Sequence, residues 1–275
     1  MSHRLITNIF FLVLTFLIAS CGSNTIQDGA PIPRSESSAH PSDPLPKNEP
    51  RSRYGNGPYY RVLGKTYRVL DTSYGYQERG VASWYGTKFH GRITSSGEPY
   101  DMYAMTAAHK SLPLPTYVRV RNLKNNRSII VRVNDRGPFV DNRLIDLSYS
   151  AARKLDMIRD GTSLVEVTAI TYDSPLVAEQ TEQTNTTTKT IISSSEKRTS
   201  IFVQVGAFSD FGNAKRRHTL IQDGGIGAAF VDQDKASTEG LYRVKIGPID
   251  DVIQYDHIVK KLQRLGITET HLVTD

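Results

Sequence analysis

Two stretches of the chain alternate apolar and polar positions in the way that short β-strands do. In Thr116–Leu123 valines alternate with arginines, and Ser128–Asp135 has a similar pattern built on isoleucine and valine. This period of two predicts half-buried strands, and the Lys-Asn-Asn-Arg run between them predicts a hairpin. With a further strand at Ser163–Ile170 and frequent turn residues, residues 80–172 predict a mainly β domain closed into a barrel.

One short helix is predicted inside this domain, and a second domain follows it. The helix is expected to start near Ser148, and its core-facing residues are expected to be Ala151, Ala152 and Leu155. Residues 201–275 follow a βαββαβ order, which predicts a small ferredoxin-like α+β unit. Ser209 is the expected cap of its first helix, and the second helix is expected to begin near Asp250. The inward positions of the first helix are Phe211, Ala214, His218 and Ile221.

The N-terminal segment has the pattern of an export signal. Arg4 precedes an apolar run at Ile9–Ile18, and this run is too short to span a bilayer permanently. Residues 1–20 are therefore interpreted as a signal peptide. Cys21 is the only cysteine, so the chain can form no internal disulfide.

Three further segments lack the apolar periodicity of a packed domain. Residues 21–58 are rich in Ser, Pro, Asn and charge, which predicts a disordered tether. Residues 59–79 carry scattered tyrosines and are interpreted as an extended arm lying on the barrel. Residues 173–200 are rich in Thr, Ser, Gln and Glu, which predicts a flexible linker.

The chain has a formal charge of +6, and the barrel carries the excess. Residues 80–172 contain 13 basic and 8 acidic residues, whereas residues 201–275 contain 9 and 10. A basic domain raises nucleic acid as a partner, but export argues against it. An anionic extracytoplasmic polymer is the ligand that this charge favours.

The polar residues capable of chemistry gather where turns interrupt the barrel strands. They are Trp84, Tyr85, His90, Glu98, His109 and Asp135. Two carboxyl groups with aromatic side chains suit glycosidic-bond cleavage, which needs an acid, a base and flat surfaces for sugar rings. No close His or Cys pairing supports a metal, and no cofactor is predicted.

Each of these residues also has a structural interpretation. Asp135 precedes Gly137-Pro138 and can cap a turn, while Glu98 can be a solvated loop residue. His109 can be structural, and Trp84 and Tyr85 can belong to the barrel core.

The order of the motifs resembles a known family. The runs GVASWYG, FHG, SSGE, TAAH and VRVNDRGPF, spread over residues 80–170, resemble the rare lipoprotein A family, whose catalytic module is a double-psi β-barrel. FVQVGAFSD and YRVKIGP in the C-terminal part resemble the SPOR domain, which binds peptidoglycan. Ile18–Cys21 resembles a bacterial lipoprotein box, with Cys21 as the lipidated residue. Gly22 after it, rather than Asp, resembles the outer-membrane signal of diderm bacteria.

This resemblance implies a septal lytic transglycosylase, a carbon–oxygen lyase anchored by lipid to the outer membrane and facing the periplasm. Such enzymes cleave the MurNAc–GlcNAc β-1,4 bond of denuded strands, from which the stem peptides have been removed, and leave 1,6-anhydro-MurNAc ends. The family's essential positions fall on Glu98, His109 and Asp135.

The residue roles follow from the anhydro-forming chemistry. Asp135 is the candidate acid that protonates the leaving oxygen and then becomes the base. Arg136 is expected to point away from Asp135, because an ion pair between them would lower the pKa of Asp135 and make it a poorer proton donor. Glu98 is expected to stabilise oxocarbenium character, and His109 to hold either carboxylate. The substrate-binding candidates are Trp84, Tyr85, His90 and Arg136 in the barrel and Gln204, Phe208 and Arg243 on the exposed sheet face of the second domain, where burial is the alternative for Phe208.

Two other classes of function stay open. One is a non-catalytic wall-binding protein similar to expansins, and the other is a septal scaffold that works through cell-division proteins. Both carboxyl groups favour catalysis without settling it.

Overall fold

A computed structural model describes residues 28–31, 41–171, 200–233 and 240–275. The predicted signal peptide, the predicted lipidation site Cys21 and all of the predicted linker except Ser200 lie outside these residues. Within the part of the chain that is described, no helix is long and apolar enough to cross a membrane.

Six strands close into a barrel, as the alternating pattern predicts. They are β3 (Gln77–Tyr85), β4 (Thr106–His109), β5 (Thr116–Asn122), β6 (Ser128–Asp135), β7 (Arg143–Ser148) and β8 (Ser163–Ile170). Their order around the barrel is β3-β7-β4-β6-β5-β8, with the β3–β7 and β4–β6 pairs parallel and the other pairs antiparallel. Crossing connections thus place distant motifs on neighbouring strands.

The predicted hairpin and helix are both present. β5 and β6 pair antiparallel, and their valines at 118, 120, 131 and 133 are fully buried in the core. Helix α1 spans Tyr149–Lys154, and Ser148 Oγ caps it by accepting the backbone N–H of Ala151 at 3.2 Å. The three residues predicted to face inward have no exposed surface.

The predicted tether differs from the structure over residues 41–58, which lie on the barrel. Asp43 pairs with Lys154 at 2.7 Å, and Glu49 pairs with Arg132 at 2.8 Å. The expectation of disorder fails here because these carboxylates meet partly buried cations of the barrel, a pairing that polar composition alone does not reveal.

The predicted extended arm is mostly a β-hairpin of β1 (Tyr59–Val62) and β2 (Lys65–Arg68). The rings of Tyr60 and Tyr67 stack at 5.2 Å, and Tyr67 lies 5.5 Å from the ring of Phe139. The tyrosines therefore fasten the hairpin beside the end of β6, and the barrel begins at Gln77, three residues earlier than predicted.

The C-terminal domain has the predicted βαββαβ order. Its elements are β9 (Ile201–Phe208), α2 (Phe211–Asp223), β10 (Ala229–Gln233), β11 (Tyr242–Ile246), α3 (Val252–Arg264) and β12 (His271–Thr274), with the sheet order β10-β11-β9-β12. Asp210, not Ser209, caps α2, because its carboxylate accepts the N–H of Asn213 at 2.8 Å. Phe211 is 51% exposed, so the prediction that it faces inward is wrong.

The two domains touch along one side of the barrel. Arg143 of β7 pairs with Asp256 of α3 at 3.4 Å, and both side chains are largely shielded. Val81 and Leu164 of the barrel belong to the same apolar cluster as the core of the C-terminal domain.

Candidate active site

Glu98 and Asp135 meet at one tight turn, Thr94–Glu98, which lies against the end of β6. Ser96 N donates to Asn134 O at 3.2 Å, and Thr94 N donates to Glu98 O at 2.8 Å. The fold therefore places Glu98 and Asp135, which are 37 positions apart in sequence, on two segments that are hydrogen-bonded to each other.

Asp135 is half-buried and held by backbone amides. Its Oδ1 accepts from Ser95 N and from Arg136 N, each at 2.7 Å. A proton carried on Oδ2 leaves both bonds intact, so the carboxyl group can donate a proton without losing its orientation.

Glu98 is held as an anion. Its Oε2 accepts from Arg132 Nη1 at 2.8 Å and from Asn134 Nδ2 at 2.9 Å. The bond from Arg132 is the main cause that lowers the pKa of Glu98; burial opposes it, and the Asn134 bond adds to it. An ionised carboxylate suits the predicted stabilisation of positive charge better than it suits proton donation.

Neighbouring side chains of the Asn134-Asp135-Arg136 run differ in burial. Asn134 and Arg136 are 3% and 8% exposed, whereas Asp135 is half-buried. The Arg136 guanidinium donates to the backbone carbonyls of Gly55 at 2.7 Å and Leu112 at 2.5 Å. It points away from Asp135, as predicted, and its partners are mainly backbone carbonyls rather than a carboxylate.

His109 is 2% exposed, and both of its ring nitrogens are used in hydrogen bonds. Nδ1 accepts from Ser111 N at 3.2 Å and Leu112 N at 3.1 Å, which leaves the proton on Nε2 to be donated to Tyr76 Oη at 2.8 Å. Tyr76 in turn donates to Glu78. Burial is the main cause that lowers the pKa of His109 to about 3. The imidazole is neutral, and its bonds go to the barrel framework rather than to Glu98 or Asp135.

Asp146 is a third carboxyl group at this site, and it was missed from sequence. Ala108 of β4 pairs with Asp146 on one side and, across an irregularity in the register, with Asp135 on the other. Burial is the main cause that raises the pKa of Tyr85, and the charges of both acids add to it, so both lie near this ring. Two strand spacings separate the two acids, about 10 Å at the backbone. Burial raises the pKa of Asp146, against a hydrogen bond from Ser83 and the charge of Lys110. An acid interrupting the apolar run Leu144–Leu147 was the available signal.

The predicted aromatic candidates differ in access. Tyr85 is 8% exposed and stacks on Tyr100 at 4.0 Å, which leaves little of its ring for a sugar. Trp84 is half-buried and packs edge to face with Tyr149, with 5.8 Å between the ring centres. The His90 side chain is 45% exposed, and its Nδ1 accepts from Met102 N at 3.2 Å.

A cavity of about 350 Å³ lies next to the Thr94–Glu98 turn, and neighbours of Asp135 rather than Asp135 itself line it. Ser95, whose amide binds Asp135, lines it together with Tyr60, Arg136 and Phe139. The Arg136 guanidinium lies 5.7 Å from the centre of the Tyr60 ring, and this cation–π contact holds the ring in place at the cavity. Sequence reasoning missed Tyr60 because only the β1–β2 hairpin brings it here, and it did not single out Phe139, which follows β6.

In the C-terminal domain, Gln204 and Arg243 are half-buried on neighbouring strands, with Arg243 Nη1 and Gln204 Oε1 3.5 Å apart. Phe208 lies under the guanidinium of Arg217 at 5.7 Å. Among the described residues, no group of three or more His, Cys, Asp or Glu side chains is placed to hold a metal ion.

The comparisons with protein families divide the chain in the same way as the fold does. Residues 77–167 match the family model described as "Lytic transglycolase", and residues 197–270 match the SPOR domain model.

Among curated proteins, the chain is similar to "Endolytic peptidoglycan transglycosylase RlpA" of Vibrio cholerae, with 37% identity over 96% of this chain and 95% of that protein. The protein of the same name from Pseudomonas aeruginosa is 60% identical over 111 residues, 40% of this chain and 33% of that protein.

Solved structures give weaker matches. The Streptomyces papain inhibitor is 24% identical with a TM-score of 0.31, over 37% of this chain and all of that one. The apo expansin of Clavibacter michiganensis is 13% identical with a TM-score of 0.28, over 64% and 81%.

Proposed function

Since this chain belongs to the RlpA family of endolytic peptidoglycan transglycosylases, we propose that it is a lytic transglycosylase that cleaves the MurNAc–GlcNAc β-1,4 bond of glycan strands lacking stem peptides. The observation that carries the proposal is the meeting of Asp135 and Glu98 at one turn, beside an aromatic-lined cavity.

The proposed reaction uses Asp135 as acid and then as base. Asp135 gives its proton to the glycosidic oxygen as the bond from C1 of the muramyl residue breaks. The C6 hydroxyl of the same residue then attacks C1, and its proton returns to Asp135, so the new C1–O6 bond replaces the old one without water. The ionised Glu98 stabilises the positive charge on the sugar ring between these steps.

The framework residues keep this geometry in place. Arg136 ties the segment around Gly55 to the loop at Leu112, and His109 orders that loop through its amide hydrogen bonds. Both act as positioning residues. The cavity lined by Tyr60 and Phe139 offers aromatic surface for a sugar ring near the turn that carries Glu98.

Place in the cell is the second part of the proposal. Lipidation at Cys21 would anchor the chain to the outer membrane, facing the periplasm. The SPOR domain binds denuded glycan at the division septum and there concentrates the barrel on its substrate. The enzyme thus serves the separation of daughter cells.

The test uses intact and amidase-treated sacculi with mass spectrometry of the released products. We expect 1,6-anhydro-MurNAc ends, mainly from the treated sacculi. If a folded chain released none from denuded strands, the transglycosylase proposal would fail and a non-catalytic wall-binding role would replace it.

Paired variants test the assignment of the acid. Asp135→Asn is expected to lower the rate by about 10²–10⁴-fold, the usual contribution of general acid–base catalysis. Asp146→Asn keeps the shape of the side chain, removes its proton-donating group and is expected to lose much less activity. The opposite ranking would move proton donation to Asp146.

A further inference from the structure

A short N-terminal stretch lies against the barrel at the loop that follows β3. Asp28 Oδ1 accepts from Gly86 N at 3.0 Å and from Lys88 N at 3.1 Å, and Thr87 N donates to Gly29 O at 3.0 Å. Three consecutive backbone amides therefore point at one segment, and two of them hold a single carboxylate oxygen.

Converging backbone amides of this kind bind anions, because their partial positive charges add and no side chain must be ordered. The surroundings are also basic. The ammonium of Lys88 and the guanidinium of Arg92 both lie over the ring of Phe89, at 5.8 and 5.7 Å. We call the amides of Gly86, Thr87 and Lys88 the amide subsite.

The amide subsite is next to the candidate active site. The charge of Asp28 is among the causes that raise the pKa of Asp146, although burial is the main one. Asp146 shares a row of paired residues with Asp135. Trp84 borders the subsite, since a Cβ at Gly86 would lie 3.0 Å from Trp84 Cζ3.

The N-terminal segment occupies the space that a side chain at position 86 would fill. A Cβ there would lie 2.1 Å from Gly29 O, so any side chain at this position would exclude the segment as it is placed. The Asp28 carboxylate can therefore reach the backbone amides because residue 86 is glycine and has no side chain.

We propose that the amide subsite binds the lactyl carboxylate of a muramyl residue that has lost its stem peptide, and that Asp28 occupies the same place as an internal competitor. This inference rests on the proposed function and names the backbone amides that would recognise a strand without stem peptides. In a peptide-bearing strand the lactyl carboxyl is an amide, which has no charge for the subsite and brings a bulky chain.

The competitor is tethered, so the strand must displace it. Asp28→Asn keeps the size of the side chain and removes its charge, which weakens its hold on the amides. Free carboxylate is then expected to bind about tenfold more tightly, the size of one charge-assisted hydrogen bond. Asp71→Asn makes the same charge change at an exposed turn before β3 and serves as the matched control.

The test is a titration of the full chain in detergent micelles, labelled with ¹⁵N at glycine and lysine. The probe is the disaccharide GlcNAc–MurNAc, which lacks the MurNAc–GlcNAc bond and is not turned over. We expect the Gly86 and Lys88 amide signals to shift on titration, at about tenfold lower concentration in Asp28→Asn and unchanged in Asp71→Asn. The disaccharide with its lactyl carboxyl converted to a methyl amide is expected to leave both signals in place.

Equal responses to the two disaccharides, or no saturable shift in Asp28→Asn, would overturn the amide subsite. Parallel digestion of amidase-treated sacculi separates this result from the proposed function. Selective shifts without anhydro products would leave the subsite standing and refute the activity, and products without selective shifts would do the reverse.

Discussion

Glu98 and Glu49 bind the same guanidinium, that of Arg132, each at 2.8 Å. Only Glu98 also lies on the turn that holds Asp135. This shared partner allows the proposed catalytic role of Glu98 to be tested separately from its role in the ion-pair network.

Glu98→Gln is expected to lower the rate on denuded strands by about 10²–10³-fold, the usual cost of removing one electrostatic stabiliser of the transition state. Glu49→Gln removes the other anionic partner of Arg132 and is expected to stay within about threefold of the unchanged chain. Steady-state release of anhydro products measures both. Similar losses in the two variants would show that Arg132, rather than Glu98, is the group that matters.

His109 predicts how stability depends on pH. Its pKa is lowered to about 3 in the folded state, so between that value and the ordinary 6.5 the unfolded chain binds the proton and the folded chain does not. The contribution is therefore fully present above pH 6.5 and is lost as pH falls, at about 1.4 kcal/mol per pH unit. Urea unfolding of the chain and of His109→Asn measures this. The variant is expected to be less stable at pH 7 but to have a flatter slope between pH 6.5 and 4.

Residues 41–58 behave as part of the barrel. β6 extends past the end of β4, and Asp43 Oδ2 accepts the N–H of Ile130 there at 2.9 Å, while its Oδ1 pairs with Lys154. Because Ile130 is 2% exposed, its N–H cannot form a hydrogen bond to water if the Asp43 carboxylate is removed.

Asp43→Ala is expected to lower the free energy of unfolding by about 1–3 kcal/mol, the cost of leaving a buried donor unsatisfied. Asp43→Asn keeps an acceptor oxygen and loses only the ion pair, so a smaller loss is expected. Denaturant titration compares the two. No difference between Ala and Asn would mean that the hydrogen bond to Ile130 contributes nothing.

The strands and helices could be predicted because each rests on a local pattern. The alternation in β5 and β6 and the Ser148 cap of α1 concern neighbours in sequence. Tyr60, Asp146 and Asp43 were missed because their roles depend on contacts between distant segments. Glu98 and Asp135 were singled out by motif, whereas only the strand order places Asp146 two strands from Asp135.

The whole chain divides recognition between two surfaces. The barrel carries the basic excess and the candidate reacting groups, whereas the C-terminal sheet offers a second polar face. Gln204 on β9 and Arg243 on β11 lie on that face, because Val203 and Val244 beside them are fully buried against the helices. If this face binds denuded glycan at the septum, targeting and cleavage are separable.

Replacing Gln204 and Arg243 together by alanine is therefore expected to abolish septal enrichment while leaving cleavage of isolated denuded strands within about twofold. The physical reason is that the sheet loses the polar groups that bind sugar hydroxyls and carboxylates, whereas the barrel keeps its turn at Asp135. Fluorescent fusions in dividing diderm cells measure the septal enrichment, and digestion of amidase-treated sacculi measures the cleavage.

Lys260→Ala is the control, because this exposed position on α3 loses a charge away from the sheet face. Undiminished septal foci in the double variant would place the targeting surface elsewhere on the chain, and a loss of both properties would show that sheet and barrel act as one binding surface.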